Sequence, residues 1–502
     1  MVEVGNAATT GPSDDGSFCP PAQRPYVLVA AILASSMAFI DGSVLAIAIP
    51  ALRADLGASL AEVQWVSNAY LLLMGSLLLL GGAAGDRFGL RRIFGLGIGL
   101  FVAASVVCAL APGVGLLIGF RAIQGVGAAM MVPGSLAIIA KAYPRAERGK
   151  AIGIWAAASS LTTIMGPVLG GLILTALGDW SWRLVFAINL PLGAIALALL
   201  ILRVPPDRAA AHNGLDLVGA ALASLGLMLI AFGLTGSGSD NGQPLSQVLA
   251  YCGSGALLLV AFIAWEWRVR HPMLPLRLFA SVPFAGANLL TFTLYFALTG
   301  VTFYLPMTMI AGWDASPAQV SLAMLPFGAA ITLVSGLSGR WADRFGPGPL
   351  ITLGALLVGL AFAGLGATAP LQQIWLAVLP LLALAGLGMA LVVSPLSTAV
   401  MTAVDDADTG IASGINNAVS RVAGLLAVAA MGGVAAMLFE RSLGSAAELA
   451  VFFGQAANGL SASQEVMRQS ATDVAFAGIA YINAGLCLVS ALIAWLTQKR
   501  KF

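Results

Sequence analysis

The chain has 502 residues, of which 59% are hydrophobic and 9% charged, with a net charge of +2 and a mean hydropathy of +0.94. Soluble domains carry about 25% charged residues, so this composition excludes an ordinary soluble enzyme or binding module. The near-neutral charge gives no basis for nucleic-acid binding.

Apolar runs of about 20 residues, long enough to cross a hydrocarbon core, recur along the whole chain. Residues 1–25 form an N-terminal tail. The first run, 26–50, is too long for the core of a secretion signal and is read as a retained span. Further spans are predicted at 62–85, 92–111, 113–142, 150–175 and 184–203. These six make an N-terminal half, 26–203. Two spans at 215–236 and 248–268 lie in a segment, 204–282, with no counterpart elsewhere. Six more follow at 283–311, 316–341, 348–368, 371–402, 410–439 and 473–497, forming a C-terminal half, 283–497. A long loop at 440–472 interrupts it, and its stretch ELAVFFGQAANGL is expected to lie on the membrane surface as an amphipathic helix. Residues 498–502 form a second short tail. Lone strands cannot satisfy their backbone in lipid, so the fold class is all-α, a polytopic membrane protein of fourteen helices.

Lys and Arg set the orientation. One set of loops holds Arg24, Arg87, Arg91, Arg92, Lys141, Arg145, Arg148, Lys150, Arg203, Arg208, Arg268, Arg270, Arg277, Arg340, Arg344, Lys499, Arg500 and Lys501. The opposite loops hold only Arg53, Arg183, Arg441 and Arg468. The excess of positive charge places the first set, and both termini, in the cytoplasm.

The halves repeat one another. Gly-Asp-Arg-Phe-Gly at 85–89 returns as Ala-Asp-Arg-Phe-Gly at 342–346, an offset of 257 residues. GVGAAMMVP at 125–133 resembles GLGMALVVSP at 386–395, and Gly149 and Gly153 match Gly410 and Gly414. Two similar halves of membrane spans, each with a charged short turn at one face, are the sequence signature of a transporter. The first turn is built from Gly82, Asp86, Arg87, Gly89, Arg91 and Arg92; the second keeps Asp343 and Arg344 but has Pro347 and Gly348 in place of the basic pair. Asp86 stands at a helix end, where it can pair with a basic residue or the positive end of a neighbouring helix. Such a pair holds one conformation and breaks in another.

Buried charge marks the chemistry. Asp41 is the one acid predicted well inside a span, at a cost of at least about 2.5–3.5 kcal/mol. Arg121 and Arg421 are the basic residues predicted at depth. Asp41 lies nine residues and Arg121 about eight from the same face, so their depths match at roughly 12–13 Å by helical rise. A direct or water-mediated pair follows from that, with snorkelling of Arg121 as the alternative. A proton and a substrate cation competing for Asp41 would couple their movements. Gly166, Pro167, Gly170 and Gly171 share one span, where the proline kinks the helix and the glycines permit close contact with a helix of the other half. Tyr70, Met131, Trp155 and Tyr295 are candidate cavity linings, as are Asn416, Asn417 and Arg421 in span thirteen. No nucleophile–base constellation and no metal-ligand spacing appears, nor any Gly-x-x-x-x-Gly-Lys-Ser/Thr run, so neither catalysis nor a nucleotide or metal cofactor is expected.

These motifs resemble those of the major facilitator superfamily. The basic turn resembles its signature loop. LLIGFRAIQGVGAA at 116–129, IMGPVLGGLI at 164–173 and FIDGSVLAIAIP at 39–50 resemble motifs of its fourteen-span drug/proton antiporter branch. Leu90, Ala46 and Thr162 depart from the family pattern. The resemblance implies two six-helix halves with an inserted two-helix hairpin. It also implies alternating access in the plasma membrane, driven by a proton gradient. The expected partners are the lipid bilayer, protons and lipophilic, mostly cationic or neutral, drugs or biocides. A single carboxylate favours monovalent cations over rigid dications. A dedicated exporter of one metabolite or antibiotic is the nearest alternative, and a membrane sensor or scaffold that does not transport is the alternative of another class. The sequence identifies no accessory export partner.

Overall fold

A computed structural model describes residues 18–207, 214–236, 243–444, 451–455 and 459–498. Arg208, the basic residues 499–501 and most of the N-terminal tail lie outside these. Among the described residues there is no strand, and fourteen helices are long and apolar enough to cross a membrane.

The first half comprises α1 (Arg24–Leu56), α2 (Leu60–Phe88), α3 (Leu90–Ala109), α4 (Val114–Ala142), α5 (Arg145–Leu177) and a broken sixth span, α6 (Trp182–Ala187) plus α7 (Asn189–Arg203). The hairpin is α8 (Leu217–Gly236) and α9 (Leu245–Glu266). The second half comprises α10 (Val282–Met307), α11 (Pro317–Phe345), α12 (Pro347–Thr368), α13 (Leu379–Thr402), α14 (Thr409–Leu443) and α15 (Ala462–Thr497). The last helix begins eleven residues before its predicted start, because Ser461 and Gln464 form a capping box there. Arg468 and Asp473 lie on this part of the helix and are buried, bonded to Ala311, Gln455, Trp313 and Gln372 in loops or at the ends of neighbouring helices.

The two halves meet along two seams. At one, α5 faces α11. A Cβ on Gly171 would stand 2.5 Å from the Pro317 carbonyl, and Ala318 N–H donates to Thr175 Oγ1 at 2.9 Å. At the other, α2 faces α14, and a Cβ on Gly75 would stand 3.1 Å from Arg421 Cβ. The hairpin covers this second seam. Leu227 and Ala231 of α8 pack with Leu72 of α2 and with Leu425 and Ala429 of α14, and Ser224 donates to Ser76 at 2.8 Å. Helix α9 packs on α8 and leaves Leu249, Leu257 and Val260 on the outer surface. At the hairpin base, Asp216 accepts from the Gly219 N–H and the Trp265 indole, while Glu266 accepts from the Leu274 N–H.

At the face opposite the basic loops the halves are closed. Gln64 donates to the Tyr304 hydroxyl at 2.7 Å, which donates to the Val428 carbonyl at 2.6 Å, so α2, α10 and α14 are tied together. Residues 451–455 form no helix there, which corrects the expectation of a surface amphipathic helix for the described part of that stretch. Instead Phe453 is buried against Tyr304 and Phe439, and its carbonyl accepts from Arg53 Nη1 at 2.8 Å. An aromatic ring gains more from that apolar seat than from the membrane surface. Residues 445–450 and 456–458 lie outside the description.

Candidate functional site

Glycine sets the site's geometry. A Cβ on Gly125 would stand 2.5 Å from the Tyr70 carbonyl, and one on Gly127 would stand 2.7 Å from the Phe101 nitrogen. Small residues therefore let α4 lie directly against α2 and α3. One turn before Gly125, Arg121 is held in the interior rather than snorkelling.

The Arg121 guanidinium and the Asp41 carboxylate pair at 2.5 Å, and both side chains are fully enclosed, at 1% and 0% exposure. A neutral polar shell completes the pair. Arg121 Nε donates to the Val66 carbonyl at 2.9 Å and Nη1 to Gln124 Oε1 at 2.7 Å. Gln124 Nε2 donates to Asp41 Oδ1 at 3.1 Å and to Ser105 Oγ at 2.8 Å, and Asn189 Nδ2 reaches the same hydroxyl at 3.2 Å. The Tyr70 ring lies 4.3 Å and the Phe186 ring 5.6 Å from the guanidinium carbon. This network draws one residue or more from five spans. The sequence offered Gln124 through its i,i+3 spacing from Arg121, but nothing singled out Ser105 or Asn189 among the neutral polar residues of the spans.

The burial of the pair overturns one expectation. Asp41 does not line a cavity in this conformation, because the Arg121 side chain fills the space in front of it. A substrate cation has no path to this carboxylate while the pair stands. Tyr70 and Met131 are buried too, Tyr70 under Arg121 and Met131 in the first half's apolar core, so neither is a lining residue here. Trp155 donates its indole N–H to Ser35 at 2.9 Å and packs on that same core.

A separate polar cavity of about 210 Å³ lies in the second half. Tyr295 of α10, Ser397 and Met401 of α13, and Ser413, Asn416 and Asn417 of α14 line it. Asn416 is fixed by Thr291 Oγ1 at 2.6 Å and Asn288 Oδ1 at 3.3 Å. Arg421 lies one turn beyond Asn417, half-buried against Gly75.

The charged turns are alike in shape. Gly89 and Gly346 both take positive φ, 98° and 84°, which a side chain would strain. Arg87 lies over Phe88 and Arg344 over Phe345, at 5.2 and 5.3 Å. Asp86, Arg92, Asp343 and Arg344 are exposed and Gly82 is open to addition of a Cβ. Asp86 makes no hydrogen bond with a described residue. The positive end of α3 is taken by Asp207, which the sequence did not single out. Its carboxylate accepts from the N–H groups of Leu90 and Arg91, both at 2.9 Å, and from Lys141 at 3.0 Å. Arg91 instead donates to the carbonyls of Leu200 and Ile201 at the end of α7.

The glycines of α5 divide. A Cβ on Gly166 would stand 3.4 Å from Ile40 Cα and one on Gly170 2.4 Å from Val44, both on α1 of the same half. Only Gly171 seats against the other half. The expectation that all three face the partner half is thus corrected; their spacing puts Gly166 and Gly170 on one stripe, a turn apart, and Gly171 beside it. Pro167 lies inside the unbroken run of α5.

Fourteen apolar helices in two six-span halves with an inserted hairpin make this a polytopic membrane protein. A family model described as Major Facilitator Superfamily matches residues 31–428, and the chain belongs to that family. It is 35% identical over 373 residues to a multidrug resistance protein B homolog of Mycobacterium tuberculosis, covering 73% of this chain and 68% of that one. It is 33% identical over 454 residues to a probable actinorhodin transporter of Streptomyces coelicolor, covering 88% and 77%. Among solved structures, a bacterial homolog of the lysosomal transporter Spinster, inward-facing and unoccupied, shares the fold with a TM-score of 0.66, 16% identity and coverage of 96% and 100%.

Proposed function

We propose that this chain is a proton-coupled antiporter that exports lipophilic drugs across the plasma membrane by alternating access, with the basic face in the cytoplasm. The observation that carries this is the enclosed Asp41–Arg121 pair. A proton arriving on Asp41 removes the charge that Arg121 balances. It leaves a guanidinium whose remaining hydrogen bonds go to Gln124 and the Val66 carbonyl. A buried pair that loses one charge is strongly destabilised, so proton arrival favours a rearrangement of α1 against α4. The seams at Gly171 and Gly75 are then where one half rocks against the other. The gradient does the work; the sequence holds no nucleotide-binding run, and the family supports transport rather than catalysis.

Relatives are named both as multidrug resistance proteins and as handlers of single antibiotics. That supports an exporter of one compound as the second reading. Purified protein in proteoliposomes under an imposed proton gradient tests the first. Uphill export of several unrelated compounds, lost in Asp41→Asn, is the expected result. Export of one compound alone selects the second reading. Gradient-driven export undiminished in Asp41→Asn refutes the coupling role.

A further inference from the structure

Arg421 differs from every buried arginine in the structure. Arg24, Arg53, Arg121 and Arg468 each donate to a carbonyl or a carboxylate. Arg421 makes no hydrogen bond or ion pair with a described residue, and its Nε is buried without an acceptor. It lies about a third of the way along α14, on the seam with α2, where a Cβ on Gly75 would stand 3.1 Å from the Arg421 Cβ. Tyr295 lines the polar cavity, as do Asn417 and Ser420, one turn and one residue before Arg421 on the same helix, so Arg421 adjoins the cavity.

No acid offsets it. The helices around it, α2, α10, α13 and α14, carry acids only at Glu62, Asp86 and Glu440, all within four residues of a helix end. Glu62 is spent on the Ser59 cap. The Asp408 carboxylate, in the loop before α14, accepts from Arg277 at 2.8 Å. Asp41, the enclosed acid of the first half, is already paired with Arg121. The α14 side of the cavity, next to Arg421, therefore carries a positive charge that no acid of these helices offsets. A half-buried guanidinium with its Nε buried and unpaired is relieved when an anion pairs with it.

We infer that the cavity binds aromatic substrates carrying a carboxylate or an acidic phenol, with Arg421 as the anion-binding group. This rests on the exporter reading and reverses the charge preference that Asp41 alone suggested. The Arg421 fork matches a carboxylate in geometry. The Tyr295 hydroxyl, which makes no hydrogen bond with a described residue, supplies a second donor. Val393, Val400 and Met401 supply the apolar wall for a ring. The Asn416 amide donor is already engaged by Thr291 and Asn288, which leaves its carbonyl oxygen for a phenolic O–H.

The test is equilibrium binding by isothermal titration to the purified, full-length protein in nanodiscs, which does not require transport. The probes are 2-naphthoate, its methyl ester and 2-naphthyltrimethylammonium, with chloride varied in a separate arm. Wild type should bind the naphthoate more tightly than the other two. Arg421→Gln should weaken naphthoate by about tenfold or more, the loss of one charge-assisted contact, and leave the ester unchanged. Arg421→Lys should restore part of the difference. Tighter binding of the ammonium probe overturns the inference. So does equal weakening of all three probes in Arg421→Gln, which marks a packing role. Chloride that occupies the site while naphthoate does not compete with it overturns it as well. Failure of the exporter reading shows separately, as naphthoate binding that depends on Arg421 without any gradient-driven flux.

Discussion

At the scale of single residues, the cost of burying charge explains both what the sequence disclosed and what it withheld. Asp41 and Arg121 stood out because an ionised side chain inside a span needs a partner. Matching depth named each as the other's candidate, and they lie 2.5 Å apart. The same logic could not find Gln124, Ser105 or Asn189, since neutral polar groups are tolerated in spans and only the packed helices show which of them converge. Removing one member of a buried pair costs about 3–5 kcal/mol, because the other charge is left behind. Asp41→Ala should therefore lower stability by about that amount. Adding Arg121→Gln should recover part of the loss, since the orphaned guanidinium disappears. Export should stay absent in both. Thermal unfolding in detergent, set beside proteoliposome flux, checks this. A double variant less stable than Asp41→Ala would show that Arg121 is not paying its desolvation through Asp41.

At the scale of elements, helix ends and glycine stripes decide which parts are joined. The basic turn was legible as a turn, from Gly89 and its neighbours. Its capping partner was not, because Asp207 lies 117 residues beyond Leu90 and carries no motif. Asp207 lies outside the spans. Burial pushes its carboxyl up, but the Arg91 N–H, the Lys141 ammonium and the Leu90 N–H together hold it below the usual carboxylate range. Such a group binds a proton less readily in the folded protein than in the unfolded chain. Its contribution is therefore present above the unfolded value and lost as pH falls through the folded one. Asp207→Asn should cost about 1 kcal/mol near neutral pH, the scale of a lost cap. The difference from wild type should shrink as the solution is acidified, and unfolding followed across pH measures it. A gap that widens in acid would contradict the assignment. On α5, the glycine pattern announced close packing but not its direction. Gly171→Leu should block the α5–α11 seam and stop flux, because its Cβ already meets the Pro317 carbonyl at 2.5 Å. Gly170→Leu should instead lower stability by displacing Val44 within the first half. Equal loss of flux at equal stability for the two would refute the division.

At the scale of the whole molecule, the internal repeat was legible because two copies of one turn mark equivalent places in two halves. Part of the seal between the halves was not, since beside the Gln64–Tyr304 bond it uses a loop of the second half that reaches α1 of the first. Phe453 anchors that loop: its ring sits between Tyr304 and Phe439 of its own half, and its carbonyl reaches the first half by accepting from Arg53. None of these contacts belongs to a helix-to-helix pattern that spacing would reveal. If the seal holds the closed face, weakening it shifts the balance between conformations by as much as the lost contacts favoured one of them. Truncating a buried aromatic ring costs about 3–5 kcal/mol when nothing refills the space. Water entering an opened face would relieve part of that. Even about 1.4 kcal/mol of differential stabilisation is a tenfold change in population. Phe453→Ala should therefore raise the fraction open at this face at least about tenfold. Spin labels at Asp179 of the first half and Leu371 of the second, both exposed on that face, read the separation directly. Arg53→Ala should shift the distance distribution the same way, because it removes the hydrogen bond by which the seated loop reaches α1. A distribution in Phe453→Ala that matches wild type, in protein that folds and binds normally, would show that the loop decorates the closed face without holding it shut.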